Sequence, residues 1–234
     1  MKTGLIIALC LGTIAAVQTG FSEPDKPDMS KPPTPNAKWL TGEFERRFEK
    51  EAWLHEEIGR LHAKDQYVRH LIIDIFNREQ MTLEDREGFI KGTTRIFDQV
   101  DTENTNGLKK ILETYSWDDI AAINPELLGK AFHIVQHSND EAFQAETLPV
   151  FKALAETGKV DQQQYALMYD RVSLGQGKAQ RYGSQFECRD GAWQAKLPLE
   201  EPDTLDERRA VMNMTTMKEN LEIAEKLYGE CPDK

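Results

Sequence analysis

Apolar residues return every three or four positions along most of the chain, the spacing that places them on one face of an α-helix. The longest run of this kind covers residues 39–80. A second run opens at Thr82, where Asp85, three positions on, completes a capping signal. We predict further helices over about 105–115, 125–137, 140–157, 161–171, 204–214 and 216–229.

Polar and special residues mark where several of these helices begin and end. Asn124 stands directly before Pro125, the arrangement of an N-cap followed by a first helical position. Asp161 is a predicted N-cap of the same type, and Gly158 is the predicted end of the helix before it. These local signals predict several separate helices instead of one long continuous helix.

The pattern changes over residues 175–198, GQGKAQRYGSQFECRDGAWQAKLP, which are rich in glycine and aromatic residues and partly alternate. Asp190 and Gly191 stand between two short runs, as is typical of a β-turn. The predicted fold class is therefore mainly α: a single-domain helical bundle with one small β-hairpin near residues 180–197.

The first residues have a different character. Lys2 precedes the apolar run LIIALCLGTIAAV at 5–17, and small polar residues follow it, which is typical of a secretory signal peptide. We assign residues 1–22 to this signal and 23–37, which are rich in proline, to a disordered tether. The helical domain is then 38–234, exported to the periplasm or the extracellular space, with no stable membrane insertion after cleavage.

Charge and cysteine content narrow the possible partners. A net charge of −11 on 234 residues provides no basic surface for nucleic acid. Cys10 falls within the predicted signal, which leaves Cys188 and Cys231 in the mature chain. An oxidising compartment favours a disulfide between them, and two free buried thiols are the alternative.

Metal and cofactor motifs are weak. His133 and His137 are four positions apart, a spacing that lets two imidazoles share a metal ion, but Ile134 stands where a zinc protease carries its glutamate. No glycine-rich phosphate loop of the Walker or dinucleotide type occurs. We therefore predict neither a metal nor a cofactor.

Four polar stretches together resemble a known pattern. They are DQYVR at 65–69, VQHSNDEAFQ at 135–144, DRVSLGQGKAQRYGSQ at 170–185 and EPDTLDERRAVMNM at 201–214. The combination resembles a bacterial family of exported domains of unknown function, over roughly residues 60–220, with Asn139 inserted into the usual His-small-Asp run. The resemblance implies the positions of the motifs and no reaction.

These motifs supply the candidate site. His137 titrates near neutral pH, with an ordinary pKa of about 6.5, and Asp170 is predicted to orient it, so these two are the candidate catalytic residues. Ser184 is the hydroxyl that such a pair would activate. The predicted ligand-binding residues offer guanidinium, carboxylate, amide and phenol groups, and they are Arg69, Asp140, Gln144, Arg171, Gln180, Tyr182 and Gln185.

Two hypotheses for function follow. In the first, a polar cleft binds a small molecule or a cell-envelope component, and hydrolysis with His137 as general acid and base is the mechanism to test. In the second, the chain is a non-catalytic interaction module and the same polar network is structural. Convergence of His137, Asp170 and Gln185 on an open cleft would favour the first. The sequence leaves open whether the chain is an enzyme and how many copies assemble.

Overall fold

Helices make up most of the computed structural model, which describes residues 42–76, 83–228 and Cys231. The elements are α1 (Gly42–Phe76), α2 (Leu83–Leu112), α3 (Trp117–Ile123), α4 (Pro125–His137), α5 (Glu141–Glu156), α6 (Gln162–Gly175), β1 (Phe186–Arg189), β2 (Ala192–Ala195), α7 (Leu205–Val211) and α8 (Met217–Tyr228). The predicted mainly α fold with a small hairpin is confirmed. The predicted signal peptide, tether and Thr82 cap lie outside the described residues.

The central helix of the bundle is α4, which contacts α1, α2, α3, α5 and α6. Because several helices pack against it, most of its apolar residues are buried, as in a core helix. Phe132, for example, packs against Phe151 of α5 with ring centroids 5.4 Å apart. The last turn of α4 lies in the interior beside this core, so the polar side chain of His137 is buried. Across the described ranges, no helix is sufficiently long and apolar to traverse a bilayer.

The predicted helix caps are present. The side chain of Asn124 accepts a hydrogen bond from the Glu126 amide at 2.9 Å, and that of Asp161 accepts one from the Gln163 amide at 2.7 Å. Gly158 adopts a φ of 71° directly after α5, the left-handed conformation that ends many helices. The last of these helices, α6, continues to Gly175, beyond its predicted end at 171.

The predicted separate helix at 105–115 is wrong, because α2 is continuous from Leu83 to Leu112. Its polar residues are held by contacts to other helices instead of interrupting the backbone. Asn104 donates to the carbonyl of Leu61 at 3.1 Å, and Thr105 donates to Ser138 Oγ at 2.9 Å. Gly107 allows close packing, since a Cβ there would lie 2.8 Å from the Leu61 side chain.

The hairpin pairs β1 with β2 in antiparallel register, with Cys188 opposite Trp193. Asp190 and Gly191 form the turn, with φ values of 54° and 74°. The strands are shorter than the predicted 180–197, because residues 180–185 approach the hairpin as an irregular loop. A disulfide joins Cys188 to Cys231, 43 positions later, as predicted. It ties the segment after α8 to the hairpin.

Candidate functional site

His137 lies at the end of α4 against two residues of α1. Its Nδ1 is 2.9 Å from Asp65 Oδ1 and 3.0 Å from Arg69 Nε. Nδ1 donates to Asp65 when it carries the imidazole proton and accepts from the Arg69 Nε–H when it does not, so the two contacts belong to different tautomers. The other ring nitrogen, Nε2, is buried and has no hydrogen-bond partner among the described residues.

Arg69 extends this contact into a buried network of four charged or titratable groups. Its Nη2 lies 2.8 Å from Asp101 Oδ1 and 3.4 Å from Asp65 Oδ1. All four side chains are more than nine-tenths buried, so the two carboxylates and the guanidinium compensate one another in a medium of low dielectric. We call Asp65, Arg69, Asp101 and His137 the charged network. Asp101 was not among the residues predicted from sequence.

Burial sets the protonation of the charged network. Desolvation lowers the pKa of His137 to about 4, although the hydrogen bond to Asp65 acts in the opposite direction. Desolvation also raises the pKa of Asp101 to about 6. Burial acts to raise the pKa of Asp65, but the hydrogen bond with His137 and the charge of Arg69 outweigh it and lower that pKa. His137 is therefore a neutral imidazole at pH 7.

Asp170, the predicted partner of His137, lies elsewhere. Its carboxylate accepts hydrogen bonds from the backbone amides of Arg181, Tyr182 and Ser184, at 2.7, 3.0 and 2.8 Å. These bonds hold the loop that leads into the hairpin. The structure therefore does not bring the two predicted catalytic residues together, and the carboxylate beside His137 is that of Asp65.

The other predicted residues near the hairpin serve the same loop. Gln180 donates to the carbonyl of Gln185 at 2.9 Å and accepts from the Gln185 amide at 3.0 Å. The buried Arg209 of α7 donates to the carbonyl of Tyr182 at 2.7 Å. We call Asp170, Gln180, Tyr182, Gln185 and Arg209 the hairpin anchor. Sequence reasoning missed Arg209, although EPDTLDERRAVMNM was part of the motif that contains it.

Gln144 and Asp140 organise the junction between α4 and α5. The Gln144 amide donates to the carbonyls of Val135 and Ser138, both at 3.0 Å, and so satisfies acceptors at the end of α4. Asp140 caps α5 by accepting from the Phe143 amide at 2.9 Å, and it also pairs with Lys109 at 2.5 Å. Both predicted ligand-binding residues thus have contacts within the protein.

Arg171 differs from all of these residues. Its Nε and Nη2 are buried and have no hydrogen-bond partner among the described residues. No described carboxylate lies within 4 Å of its guanidinium, whereas Arg69 contacts two. Arg171 lines a cavity of about 210 Å³ between the α4–α5 junction and α6, together with Ser138, Asn139, Glu141, Gln144, Val172, Gly175 and Gln176. Its charge contributes to the lowered pKa of His137.

A more open cavity of about 480 Å³ lies on the other side of the junction, between α2 and the start of α5. It shares Asn139 and Glu141 with the cavity at Arg171. Its remaining lining residues carry small polar groups, and they are Thr102, Thr105, Asn106 and Asp140. The two cavities place polar side chains around both flanks of the segment VQHSNDEAFQ.

The histidines near α4 are placed side by side. His133 stacks on His137 with ring centroids 6.3 Å apart, and its Nδ1 lies 3.0 Å from His62 Nε2. Desolvation lowers the pKa of both His62 and His133. Within the ranges the structure describes, no three His, Cys, Asp or Glu side chains are arranged to hold a metal ion.

Comparison with known proteins places the chain beside one family. Residues 74–231 match the model of a family of unknown function, DUF6624. The matched region includes His137, Arg171 and the hairpin anchor, and it begins after Asp65 and Arg69. Neither the curated proteins nor the solved structures gave a match. The resemblance to a family of unknown function is confirmed at this level.

Proposed function

The chain belongs to DUF6624, and from its geometry we propose that it binds a small anionic ligand, of the carboxylate or phosphate class, at Arg171. The observation that carries this proposal is a guanidinium with two buried, unpartnered N–H groups at the wall of a 210 Å³ cavity. The guanidinium group of arginine recognises planar carboxylates and tetrahedral phosphates by paired hydrogen bonds.

The energetics support a ligand at this position. Arg171 is half-buried, and its Nε and Nη2 groups are out of solvent without a partner, which costs roughly 1–3 kcal/mol for an unsatisfied buried group and more for a charged one. The charged network shows how this chain compensates a buried arginine, by placing Asp65 and Asp101 against Arg69. Arg171 has no such carboxylate among the described residues, and an anion in the cavity would take that place.

Binding is favoured over hydrolysis. A general base works best when its pKa lies near the working pH, and the pKa of His137 is about 4. The oxygens of Asp170 are occupied by backbone amides, so this carboxylate cannot orient the imidazole. The hairpin anchor supports the second hypothesis, that part of the predicted polar cluster is structural.

Calorimetry with two simple anions tests the proposal. Propionate and inorganic phosphate are titrated separately into wild type, Arg171→Gln and Arg181→Gln, in a buffer that contains no other oxyanion. The control Arg181 pairs with Glu200 at the surface, so both variants lose the same charge. We expect Arg171→Gln to weaken binding at least tenfold and Arg181→Gln to preserve it. Binding that is equal in Arg171→Gln and wild type, or that is absent in wild type both for these anions and for the amino acids tested below, overturns the proposal.

The stability of Arg171→Gln separates a binding residue from a structural one. Since the guanidinium lacks a partner in the described chain, its removal should leave the ligand-free melting temperature unchanged or raise it. A structural arginine would show the reverse. A fall of several degrees in the ligand-free variant therefore contradicts the proposal.

We also propose that the chain is exported. The disulfide between Cys188 and Cys231 supports this, because such bonds persist in oxidising compartments. The sequence gives a second argument, because the apolar run at 5–17 is followed by small and polar residues, as in a signal peptide. N-terminal sequencing of the protein from its native cells should find a start produced by cleavage within residues 16–22. A cytosolic chain that retains Met1 would contradict it.

A further inference from the structure

Arg171 shares its cavity with a residue of opposite charge. Glu141 is the first residue of α5, and its side chain lies over Gly175 of α6, within the lining of the same cavity. Arg171 and Glu141 are not within 4 Å of each other, and neither forms an ion pair with any other described residue. The lining of the cavity therefore includes a positive group and a negative group that form no ion pair with a described residue, and the negative group, Glu141, is exposed to solvent.

These two charges restrict the class of ligand. A simple anion would be attracted to Arg171 and repelled by Glu141, so half of the available electrostatic recognition would oppose its binding. A ligand that carries a carboxylate and an ammonium group would satisfy both side chains at once. Complementary charges of this kind increase specificity more than they increase total affinity.

We infer that the occupant is a zwitterion, a free amino acid, with its carboxylate on Arg171 and its ammonium group on Glu141. This inference rests on the proposed anion site at Arg171 and names its ligand class. Asn139, Gln144 and Gln176 also line the cavity and contribute neutral amide groups to its wall.

The size of the cavity agrees with this class. A cavity of about 210 Å³ lies below the roughly 300–1,000 Å³ of sites that hold drug-sized ligands, which agrees with a small molecule. An oligosaccharide or an extended peptide strand would need several times this volume.

Matched pairs of ligands test the inference. L-alanine is compared with propionate and L-leucine with 4-methylpentanoate, since each pair differs only by the amino group. Calorimetric titrations are made with wild type, Glu141→Gln, Arg171→Gln and Glu146→Gln. Glu146 is an exposed residue of the same helix, and its substitution is the control for the change in charge.

We expect at least one amino acid to bind wild type and Glu146→Gln at least tenfold more tightly than its deaminated partner. Glu141→Gln should remove this preference while it keeps or improves carboxylate binding, and Arg171→Gln should weaken both ligands. If carboxylates bind through Arg171 but amino acids bind no better, or if Glu141→Gln keeps the preference, the zwitterion inference is overturned and the anion site stands. If no ligand depends on Arg171, both are overturned.

Discussion

The imidazole of His137 lies 2.9 Å from the carboxylate of Asp65, which joins the end of α4 to the middle of α1. The two residues are 72 positions apart, so the bond is a purely tertiary contact. Both side chains are buried, and the guanidinium of Arg69 lies 3.0 Å from the same imidazole nitrogen. Because the protonation of His137 differs between the folded and the unfolded chain, this contact makes the stability of the fold depend on pH.

Acidification should destabilise the protein partly through His137. Its pKa is about 4 in the folded chain, whereas the unfolded residue titrates at 6.5, so the unfolded chain binds a proton first as the pH falls. The free energy of unfolding should decrease between pH 6.5 and 4, by up to about 1.4 kcal/mol per pH unit from this residue. Asn at this position can still donate to Asp65 but does not titrate. Urea unfolding of His137→Asn should therefore show a shallower pH dependence than wild type.

The comparison between variant and wild type isolates this residue from its neighbours. Asp101 acts in the opposite direction, because its pKa of about 6 in the folded chain makes the folded state take up a proton first below that pH. The pKa of Asp101 is set by burial and by Arg69, Asp65 and Asp98, all of which His137→Asn retains, so we expect the contribution of Asp101 in both proteins. His70→Asn, at an exposed histidine of α1, should keep the wild-type slope. Equal slopes for His137→Asn and wild type would show that His137 is not held neutral.

Asp170→Asn should destabilise the loop that leads into the hairpin. The carboxylate accepts from three backbone amides, and an Asn side chain would direct an N–H group at one of those donors. We expect a loss of roughly 1–3 kcal/mol in the free energy of unfolding, the usual penalty for an unsatisfied buried group. Hydrogen exchange should accelerate at the amides of residues 181–184.

Asp161→Asn is the matched control for this substitution. Asp161 caps α6 through one side-chain oxygen, and Asn is an equally good N-cap, so stability should change little. A similar loss in both variants would mean that the hairpin anchor does not depend on the carboxylate of Asp170.

Gly183→Ala should destabilise the same loop for a steric reason. Gly183 has a φ of 61°, and a Cβ there would lie 3.2 Å from Leu205 Cδ2 and 3.3 Å from Met217 Sδ. We expect a loss of about 1–3 kcal/mol from backbone strain and crowding. At Gly59 in α1 a Cβ would meet no atom within 4 Å, so Gly59→Ala should stabilise the helix by roughly 0.5–1 kcal/mol. Thermal melts of both variants check the sign as well as the size.

Removal of the disulfide should weaken the whole domain. The bridge closes a loop of 43 residues, which corresponds to about 4 kcal/mol in the chain-entropy description. Urea unfolding of a variant with Cys188→Ser and Cys231→Ser should show this loss, and reductant should produce it in wild type. Reductant should have no effect on the double variant. A wild type that is unaffected by complete reduction would contradict the predicted contribution of the bridge.

Local signals made several parts of the fold predictable. Asn124 and Asp161 cap helices through their own side chains, so the neighbouring sequence contains the whole cause. The short helix α3 was missed, although Ser116 and Asp119 form a capping box that the sequence displays. The continuity of α2 could not be predicted in the same way, because Asn104 is satisfied by a carbonyl of α1.

The sequence predicted several residues of the candidate site but not which of them contact one another. His137, Arg69, Arg171 and Asp170 were identified by their chemistry, but partners are decided by packing between elements distant in sequence. Asp170 therefore proved to hold backbone amides, and Asp65 took the position beside His137. Arg171 follows Asp170 directly, yet α6 directs the two side chains to different surroundings.

The most direct test of the central claim is an NMR titration that observes the Nε–H groups of the arginines. Propionate, alanine and leucine are added to wild type, and the Arg171 resonance is assigned by its loss in Arg171→Gln. If Arg171 binds the ligand, we predict a saturable shift of the Arg171 Nε–H signal, with the signal of Arg181 unchanged. A resonance of Arg171 that does not move with any of the three ligands would contradict the claim that this guanidinium is a binding site.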